Sequence, residues 1–393
     1  MKRTWKIQVA VIGLLGVIPV MAHANYGDYN GGVAIGSSYA GVDTGPTNGL
    51  VVQGNVGIGT SSPVSGTALT VNGVADANTL MLNGAQIPST PGGRLTLSSN
   101  TPVMTADSTA ASTVYYADYV NDLVPIYNST NWVEYSLGGQ LSLALDSNSA
   151  HTGYQQSGKL FDLVIRNNSG TPQLCTGPAW TSSTARASAI ALQNGIWTNS
   201  GSWTLKCDTT SSTYTCAANQ CTYVGTMYAT ANGQTGVQCQ PAIAAGGPTG
   251  GGYIDIFNAY NRVPVTCAEQ DENTWTYTTA TYRQADNSSK NQISFVDGLQ
   301  QVPVYGTYTV QASNTVNECA TGVVLDSTSG PGKQAGVMVS TNFQTIAANG
   351  YWYPQLGYHY IAAVEYAVGG TCSFNSFGNS STTGMLLALP WQF

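Results

Sequence analysis

Short apolar runs closed by glycine or Asn-Gly recur near the N-terminus, and they restrict this chain more than any other feature. Val33-Ala34-Ile35-Gly36 returns as Val56-Gly57-Ile58-Gly59, and Leu69-Thr70-Val71-Asn72-Gly73 returns as Leu80-Met81-Leu82-Asn83-Gly84. A strand this short, ended at once by a turn residue, cannot cover its own apolar side. Units of that kind are stable only when stacked on copies of themselves, in the same chain or in partner chains. Residues 25–90 contain no Trp, Cys or Lys and are dense in Gly, Val, Ala and Asn. They read as a β-repeat, either a β-roll or an intertwined β-fibre.

Beyond a Pro/Gly linker at 88–93 the chain becomes aromatic and strand-rich. Residues 114–116, 123–127 and 132–135 read as short strands, and 160–166 alternates, with Leu160, Asp162, Val164 and Arg166 on one side. The Gly/Ala/Pro tract 241–252 reads as a loop dividing a β-rich module, 91–240, from a second, sandwich-like module, 253–393. In the latter, 253–257, 274–282, 293–296, 302–310, 337–340 and 358–368 read as strands, with Asp297-Gly298 as a turn. Only 184–194 tolerates a helical reading. Charged residues make up 8% of the chain, against about 25% in an average soluble domain. Such a composition, rich in Gly and Tyr and poor in Lys and Glu, belongs to strands and turns rather than to solvent-facing helices. The expected fold is all-β, a repeat segment followed by β-sandwich or jelly-roll-like modules.

The first 24 residues carry an address. Lys2, Arg3 and Lys6 precede an apolar stretch, 9–22, that Pro19 interrupts, and Ala22-His23-Ala24 forms a small-x-small cleavage site. This is the pattern of a cleaved signal peptide. The apolar stretch falls short of the roughly 20 residues that span a bilayer, so no transmembrane anchor is expected after cleavage. Of 12 basic and 19 acidic residues, three basic ones belong to this segment. The acidic remainder has no basic face for nucleic acid and no polybasic patch for anionic lipid. The expected location is exported, at the cell surface or secreted.

All 8 cysteines follow the leader: Cys175, Cys207, Cys216, Cys221, Cys239, Cys267, Cys319 and Cys372. An even count in an oxidising compartment predicts disulfides, and eight cysteines permit 105 pairings. One pairing can be argued locally. Folding 203–216 about Ser211-Ser212 sets Cys207 opposite Cys216 at cross-strand distance. Zinc is disfavoured because there is no C-x-x-C pair and histidine is nearly absent, so neither a metal nor a cofactor is expected.

Gly54-Asn55-Val56-Gly57-Ile58-Gly59-Thr60, followed by Pro63 and Leu69-Thr70-Val71-Asn72-Gly73, resembles the shaft repeat of phage tail fibres and tailspikes. Gly32-Val33-Ala34-Ile35-Gly36-Ser37 is similar to the heads of trimeric autotransporter adhesins. A longer stretch resembles a C-terminal module of phage and prophage tail-fibre-like proteins. It includes Arg94-Leu95-Thr96-Leu97, Val114-Tyr115-Tyr116, Asn131-Trp132 and, most distinctively, the run 145–163 from Leu145-Asp146-Ser147 through His151-Thr152-Gly153-Tyr154 to Lys159-Leu160-Phe161-Asp162-Leu163. Gly177-Pro178-Ala179-Trp180, Asn194-Gly195-Ile196-Trp197, Asn258-Ala259-Tyr260-Asn261-Arg262-Val263 and 294–300 continue it. The resemblance, over roughly 50–370, implies a homotrimeric appendage protein with a distal module that contacts a cell surface. Tail fibres assemble in the cytoplasm and have no leader, so the expectation is a bacterial protein that uses such a module at or beyond the outer membrane.

Chemistry is sparse. His151 and His359 are the histidines left after the leader, and no G-x-S-x-G elbow accompanies either, so structural roles are expected for both. Gly330-Pro331-Gly332-Lys333 fails as a phosphate loop, because Gln334 stands where Ser or Thr is required. Glu269, Asp271 and Glu272 after Cys267, and Glu365 within 361–368, are the carboxylates a polysaccharide-degrading enzyme would use. A solvated acidic loop and an outward strand residue are the favoured readings of them. Tyrosine and tryptophan stack on sugar rings while their polar tips meet hydroxyls. Tyr351, Trp352 and Tyr353, bracketed by Gly350 and Pro354 as a turn, are the expected exposed ligand-binding set. The alternation Met385, Leu387, Leu389, Trp391, Phe393 suits the last strand of an outer-membrane barrel, but no other strands of that type occur, and a closing strand of the module is expected.

The leading expectation is therefore an exported, non-enzymatic fibre or adhesin-like protein that binds a cell-surface glycan or receptor. The alternatives are a glycoside hydrolase or lyase on the same scaffold and an outer-membrane-anchored, autotransporter-like adhesin.

Overall fold

The computed structural model describes residues 33–35, 50–52, 55–58, 69–71, 81–82, 85–239, 251–271, 273–330, 335–375 and 385–393. The leader and Glu272 lie outside the described residues, as does most of the 241–252 tract. The chain divides into two compact units, Met1–Asn78 and Thr79–Phe393.

In the first unit three-residue strands pair in parallel, Val33–Ile35 with Leu50–Val52 and Val56–Ile58 with Leu69–Val71. Parallel pairing of successive short strands is the geometry of a coiling repeat rather than of hairpins. Ile58 and Leu69 are more than half exposed, as a unit too thin to have an interior requires. The last copy of the repeat behaves differently. Met81–Leu82 turns back antiparallel on Ala85–Gln86 and belongs to the second unit.

The second unit is all-β, with sandwich-like sheets packed over one main core that runs from Leu95 through Leu163, Phe295 and Val323 to Phe393. Thr113–Asp118 sits between Gly93–Thr96 and Gln140–Ala144 in a three-stranded antiparallel sheet. In a six-stranded sheet Leu160–Asn168 lies between the edge strand Thr171–Ala179 and Cys221–Tyr228. A twelve-stranded sheet contains Ser108–Ala111 and Thr235–Gln238 as well as Pro264–Asp271, Val304–Leu325, Gly357–Ala367 and Met385–Gln392. Residues 91–240 and 253–393 therefore share a sheet and a core, and the compact unit begins at Thr79 rather than at 91. Arg94 ties the start of this unit to its end. Its buried guanidinium donates to the carbonyls of Phe393 and Pro102 and lies 4.6 Å from the Phe393 ring centroid.

Two local expectations are corrected. Residues 184–194 are not helical: 181–189 is a loop, and Ile190–Gln193 pairs antiparallel with Ile196–Asn199. Asn194 and Gly195 close that hairpin at φ of 50° and 87°, the left-handed backbone that Asn-Gly adopts readily. The loop delivers Arg186, whose Nε and Nη2 donate to the two carboxylate oxygens of buried Asp162 at 2.8 and 3.1 Å. The disulfides are Cys175–Cys207, Cys216–Cys221, Cys239–Cys267 and Cys319–Cys372. Cys207 and Cys216 are thus not partners. Their hairpin exists, but its register sets Trp203 opposite Cys216 and Leu205 opposite Tyr214, so Cys207 falls beyond the ladder and meets Cys175 instead.

The Asp297-Gly298 turn forms as expected. Asp297 Oδ1 accepts the amides of Leu299 and Gln300, and a side chain at Gly298 would collide with the Tyr223 hydroxyl. Among the described residues no helix is long and apolar enough to cross a membrane.

Candidate functional site

The outward face at one end of the large sheet is built by strand alternation. Val304–Leu325 pairs antiparallel with Ala335–Trp352, placing Val304 opposite Trp352, Tyr305 opposite Tyr351 and Thr307 opposite Asn349. Val304, Gly306 and Tyr308 point into the core, so Tyr305 and Thr307 point out. Tyr351 is 62% exposed, Tyr353 86% and Tyr305 37%. The Tyr305 hydroxyl donates to Asn349 Oδ1 at 3.1 Å, which restrains the ring. Of the three expected residues, Tyr351 and Tyr353 form the exposed set. Trp352 is half-buried and packs on the core. The three do not form a turn, because Tyr351 and Trp352 end a strand. Gly350 is needed for packing rather than turning, since a Cβ there would occupy the place of the Trp352 ring.

The face continues across two further strands. Met385–Gln392 pairs with Val304–Leu325, Ala388 opposite Thr307, and with Pro264–Asp271, Pro390 opposite Thr266 and Gln392 opposite Pro264. Cross-strand partners share a face and alternate residues return to it. Pro264, Thr266, Pro390 and Gln392 therefore lie on the same face as Tyr305 and Tyr351. A groove of about 360 Å³ is cut there, lined by these four, Pro303 and Trp391 among others, and none of its lining residues is charged. A row of exposed tyrosines beside a neutral groove with amide and hydroxyl groups can stack on the apolar faces of sugar rings and bond their hydroxyls. Tyr305, Asn349 and Gln392 were not singled out from sequence. The alternation at 302–310 marks Tyr305 as outward-facing, but nothing local tells which strand lies beside it.

The acidic residues occupy a different environment from the expected one. Glu269 and Asp271 are not in a solvated loop. They sit on the core side of Pro264–Asp271, opposite Leu387 and Met385, and both are buried. Glu365 faces inward and is fully buried, accepting Trp275 Nε1 and, at 2.7 Å, Arg283 Nε. Asp271 accepts the Asn291 side-chain amide at 2.9 Å and the Asn273 backbone amide at 3.0 Å, and Asn273 Nδ2 donates to Asp286. Burial raises the pKa of Glu269 from 4.5 to about 8, with the neighbouring Asp271 adding to it against the Gly252 amide and Lys290. Burial also raises Glu365, opposed by its bonds from Trp275 and Arg283, and lifts isolated Asp255 well above the usual carboxylate range.

A carboxyl group whose pKa is higher in the folded state binds more protons there than in the unfolded chain. Its contribution is complete near and below the unfolded value and is lost as pH rises through the folded one. Stability is therefore expected to fall between about pH 4.5 and 8 by up to a few kcal/mol, with Asp255 acting in the same direction. Glu269→Gln should flatten that slope in denaturation curves taken at pH 5, 6.5 and 8, and an unchanged slope would exclude Glu269 as its source.

Both histidines are held by protein groups. His151 Nδ1 lies 2.8 Å from Asp146 and its Nε2 lies 3.0 Å from the Asn148 side chain. His359 meets Asp326 at 2.7 Å and the Leu356 carbonyl at 3.0 Å. Burial alone would lower the His359 pKa, but those two acceptors outweigh it and raise the value. Among the described residues no group of three or more His, Cys, Asp or Glu side chains is arranged to hold a metal ion.

No family model and none of the curated proteins matches the chain. Among solved structures, an insecticidal delta-endotoxin of Bacillus thuringiensis aligns at 7% identity and a TM-score of 0.19, covering 72% of this chain and 49% of the toxin. The chain thus spans about half of that toxin's length, and so poor a superposition relates neither fold nor activity.

Proposed function

We propose that the protein is an exported, non-enzymatic, adhesin-like protein that binds a cell-surface glycan through the tyrosine face of its large β unit. The observation that carries this reading is the row Tyr305, Tyr351 and Tyr353 beside an uncharged groove on one sheet face. Solvating rings of this size without a partner forfeits apolar contact area, which a stacked sugar ring recovers. Four disulfides and a leader-like N-terminus support an exported, oxidising location. The parallel three-residue strands with exposed Ile58 and Leu69 support a repeat segment that trimerises, as in the tail-fibre-like proteins the sequence resembles.

The test is a glycan-array and calorimetric comparison of the wild type with Tyr351→Ala/Tyr353→Ala. Two stacked rings contribute roughly 1–3 kcal/mol, so affinity for the captured glycan should fall about 10- to 100-fold. Undiminished binding by the double variant would move the site elsewhere. Release of new reducing ends from the bound glycan would replace the adhesin reading with an enzymatic one.

A further inference from the structure

We infer that the cavity at Arg166, which shares no residue with the tyrosine face, is a second binding site and takes the carboxylate of an acidic sugar. Its walls come from the end of Leu160–Asn168, from the hairpin of Leu123–Tyr127 with Trp132–Ser136, and from Tyr214–Cys216 with the turn after it. It measures about 160 Å³ and is lined by Tyr127, Asn128, Tyr135, Arg166, Asn167 and Gln220 among others. Pockets for drug-sized ligands run to roughly 300–1,000 Å³, so this one holds a group of about one ring. The walls are fixed in place. The Cys216–Cys221 disulfide closes the turn that carries Gln220, and the Thr222 hydroxyl donates to the Pro125 carbonyl, which ties the hairpin to the six-stranded sheet.

Of the lining residues Arg166 alone is charged, and its charge is unspent. Its Nε donates at 2.9 Å to Gln173 Oε1 on the neighbouring strand, and its guanidinium lies 4.3 Å from the Tyr214 ring centroid. These two contacts orient the fork. Among the described residues Nη1 and Nη2 have no hydrogen-bond partner, and no carboxylate lies within ion-pair distance of Arg166. Arg186, Arg283 and Lys206 each meet one. Asp208 acts on Arg166 from farther away, but its oxygens are engaged by Thr210 and by the Tyr214 hydroxyl. What the neighbours leave open is mostly donors. Asn128 Oδ1 already accepts the amides of Thr130 and Asn131, which leaves its side-chain NH₂. The Tyr135 hydroxyl accepts Asn167 Nδ2, which leaves its proton. A guanidinium fork beside two neutral donors matches a carboxylate, and one positive charge balances one negative. A phosphate monoester brings about 1.5–2 charges, more than a single arginine offsets. A free amino acid brings an ammonium, for which the lining has no carboxylate. A sugar acid brings neither, and its hydroxyls suit the Gln220 amide while its apolar ring faces suit the tyrosines.

The experiment is a saturation-transfer NMR titration of the full chain, disulfides intact, with glucuronate and galacturonate, and with glucose and inorganic phosphate as controls. One of the two acids should bind about 10-fold or more tightly than glucose. Arg166→Gln should weaken the acid about 10- to 100-fold and Tyr135→Phe about 2- to 10-fold, with denaturation midpoints checking that both variants fold. Arg166→Lys keeps the charge but loses the fork, so it should fall between the wild type and Arg166→Gln. Tyr351→Ala/Tyr353→Ala should leave binding of the acid unchanged, which separates this site from the tyrosine face. No binding of either acid, equal affinity for glucose, or full affinity in Arg166→Gln overturns the proposal. Phosphate that competes as strongly as the acid also overturns it, because the site is then an unselective anion site. If Arg166→Gln does not fold, Tyr135→Phe decides alone, and full affinity there overturns the proposal.

Discussion

Lys206→Ala is expected to lower stability by about 3–5 kcal/mol, read as a shift of the denaturation midpoint at constant slope. Lys206 is 1% exposed, and its ammonium lies 2.8 Å from the carboxylate of Asp146, which is 2% exposed. It also donates to the carbonyls of Thr210 and Ser212, and its own backbone exchanges hydrogen bonds with Thr176. Burial alone would raise the Asp146 pKa, but bonds from Lys206, the Asn148 amide and His151 outweigh it and hold the carboxyl ionised below its usual range. Removing the lysine leaves an anion in the interior with only part of its compensation, which costs more than the pair itself contributes. The double variant Asp146→Asn/Lys206→Met is the control. It removes both charges at similar volume and should recover much of the loss. If the double variant is as unstable as the single one, the charge argument fails and packing of the lysine stem is the cause.

The same network gives a physical meaning to the most distinctive sequence run, 145–163. Asp146 engages Lys206 and His151, and Gln155 reaches back to the Asp146 amide and across to Thr176. These residues fasten a loop to the six-stranded sheet, so their spacing is dictated by a fold rather than by a reaction. None of this was visible locally, because Lys206 lies far along the chain. Alternation and turn signals did make many strands legible, among them 123–127, 132–136 and the closing strand 385–392, whose buried Leu387, Leu389 and Trp391 follow the expected period. Periodicity tells which side chains share a face but not what that face meets. Glu365 looked outward-facing because it is charged, and its partner Arg283 comes from a two-residue strand 82 positions away. The Asn194-Gly195 signal was present in the sequence and outranks the weak helical pattern around it. Tyr351 and Tyr353 were legible as exposed aromatics, whereas the groove beside them is assembled from two strands, Pro264–Asp271 and Met385–Gln392, and the segment 302–303, which are distant in sequence from one another.

The disulfides carry the second large effect, and they should not contribute equally. Tying two residues restricts the unfolded chain more as the closed loop lengthens. Cys319–Cys372 closes a separation of 53 residues and should contribute about 4 kcal/mol, whereas Cys216–Cys221, with a separation of 5, should contribute about 2 kcal/mol. Location reinforces the order. Cys319 follows the unpaired residues 315–318 of the long hairpin, and Cys372 opens the short strand that pairs with Gln311–Ser313, so this bond fixes the irregular part of the large sheet. Cys216–Cys221 joins the ends of one short turn that Asn199 already holds through its side-chain bonds to Cys216, Ala217 and Cys221. Paired Cys→Ala variants compared by denaturant midpoint test the ranking directly. All four bonds bury their sulfurs in the cores, so reduction removes covalent closure from a unit that has few ion pairs in reserve. The native chain should therefore unfold at much lower denaturant in the presence of a strong reductant. Equal stability with and without reductant would mean that the core suffices by itself, and the disulfides would then no longer argue for an oxidising, exported location.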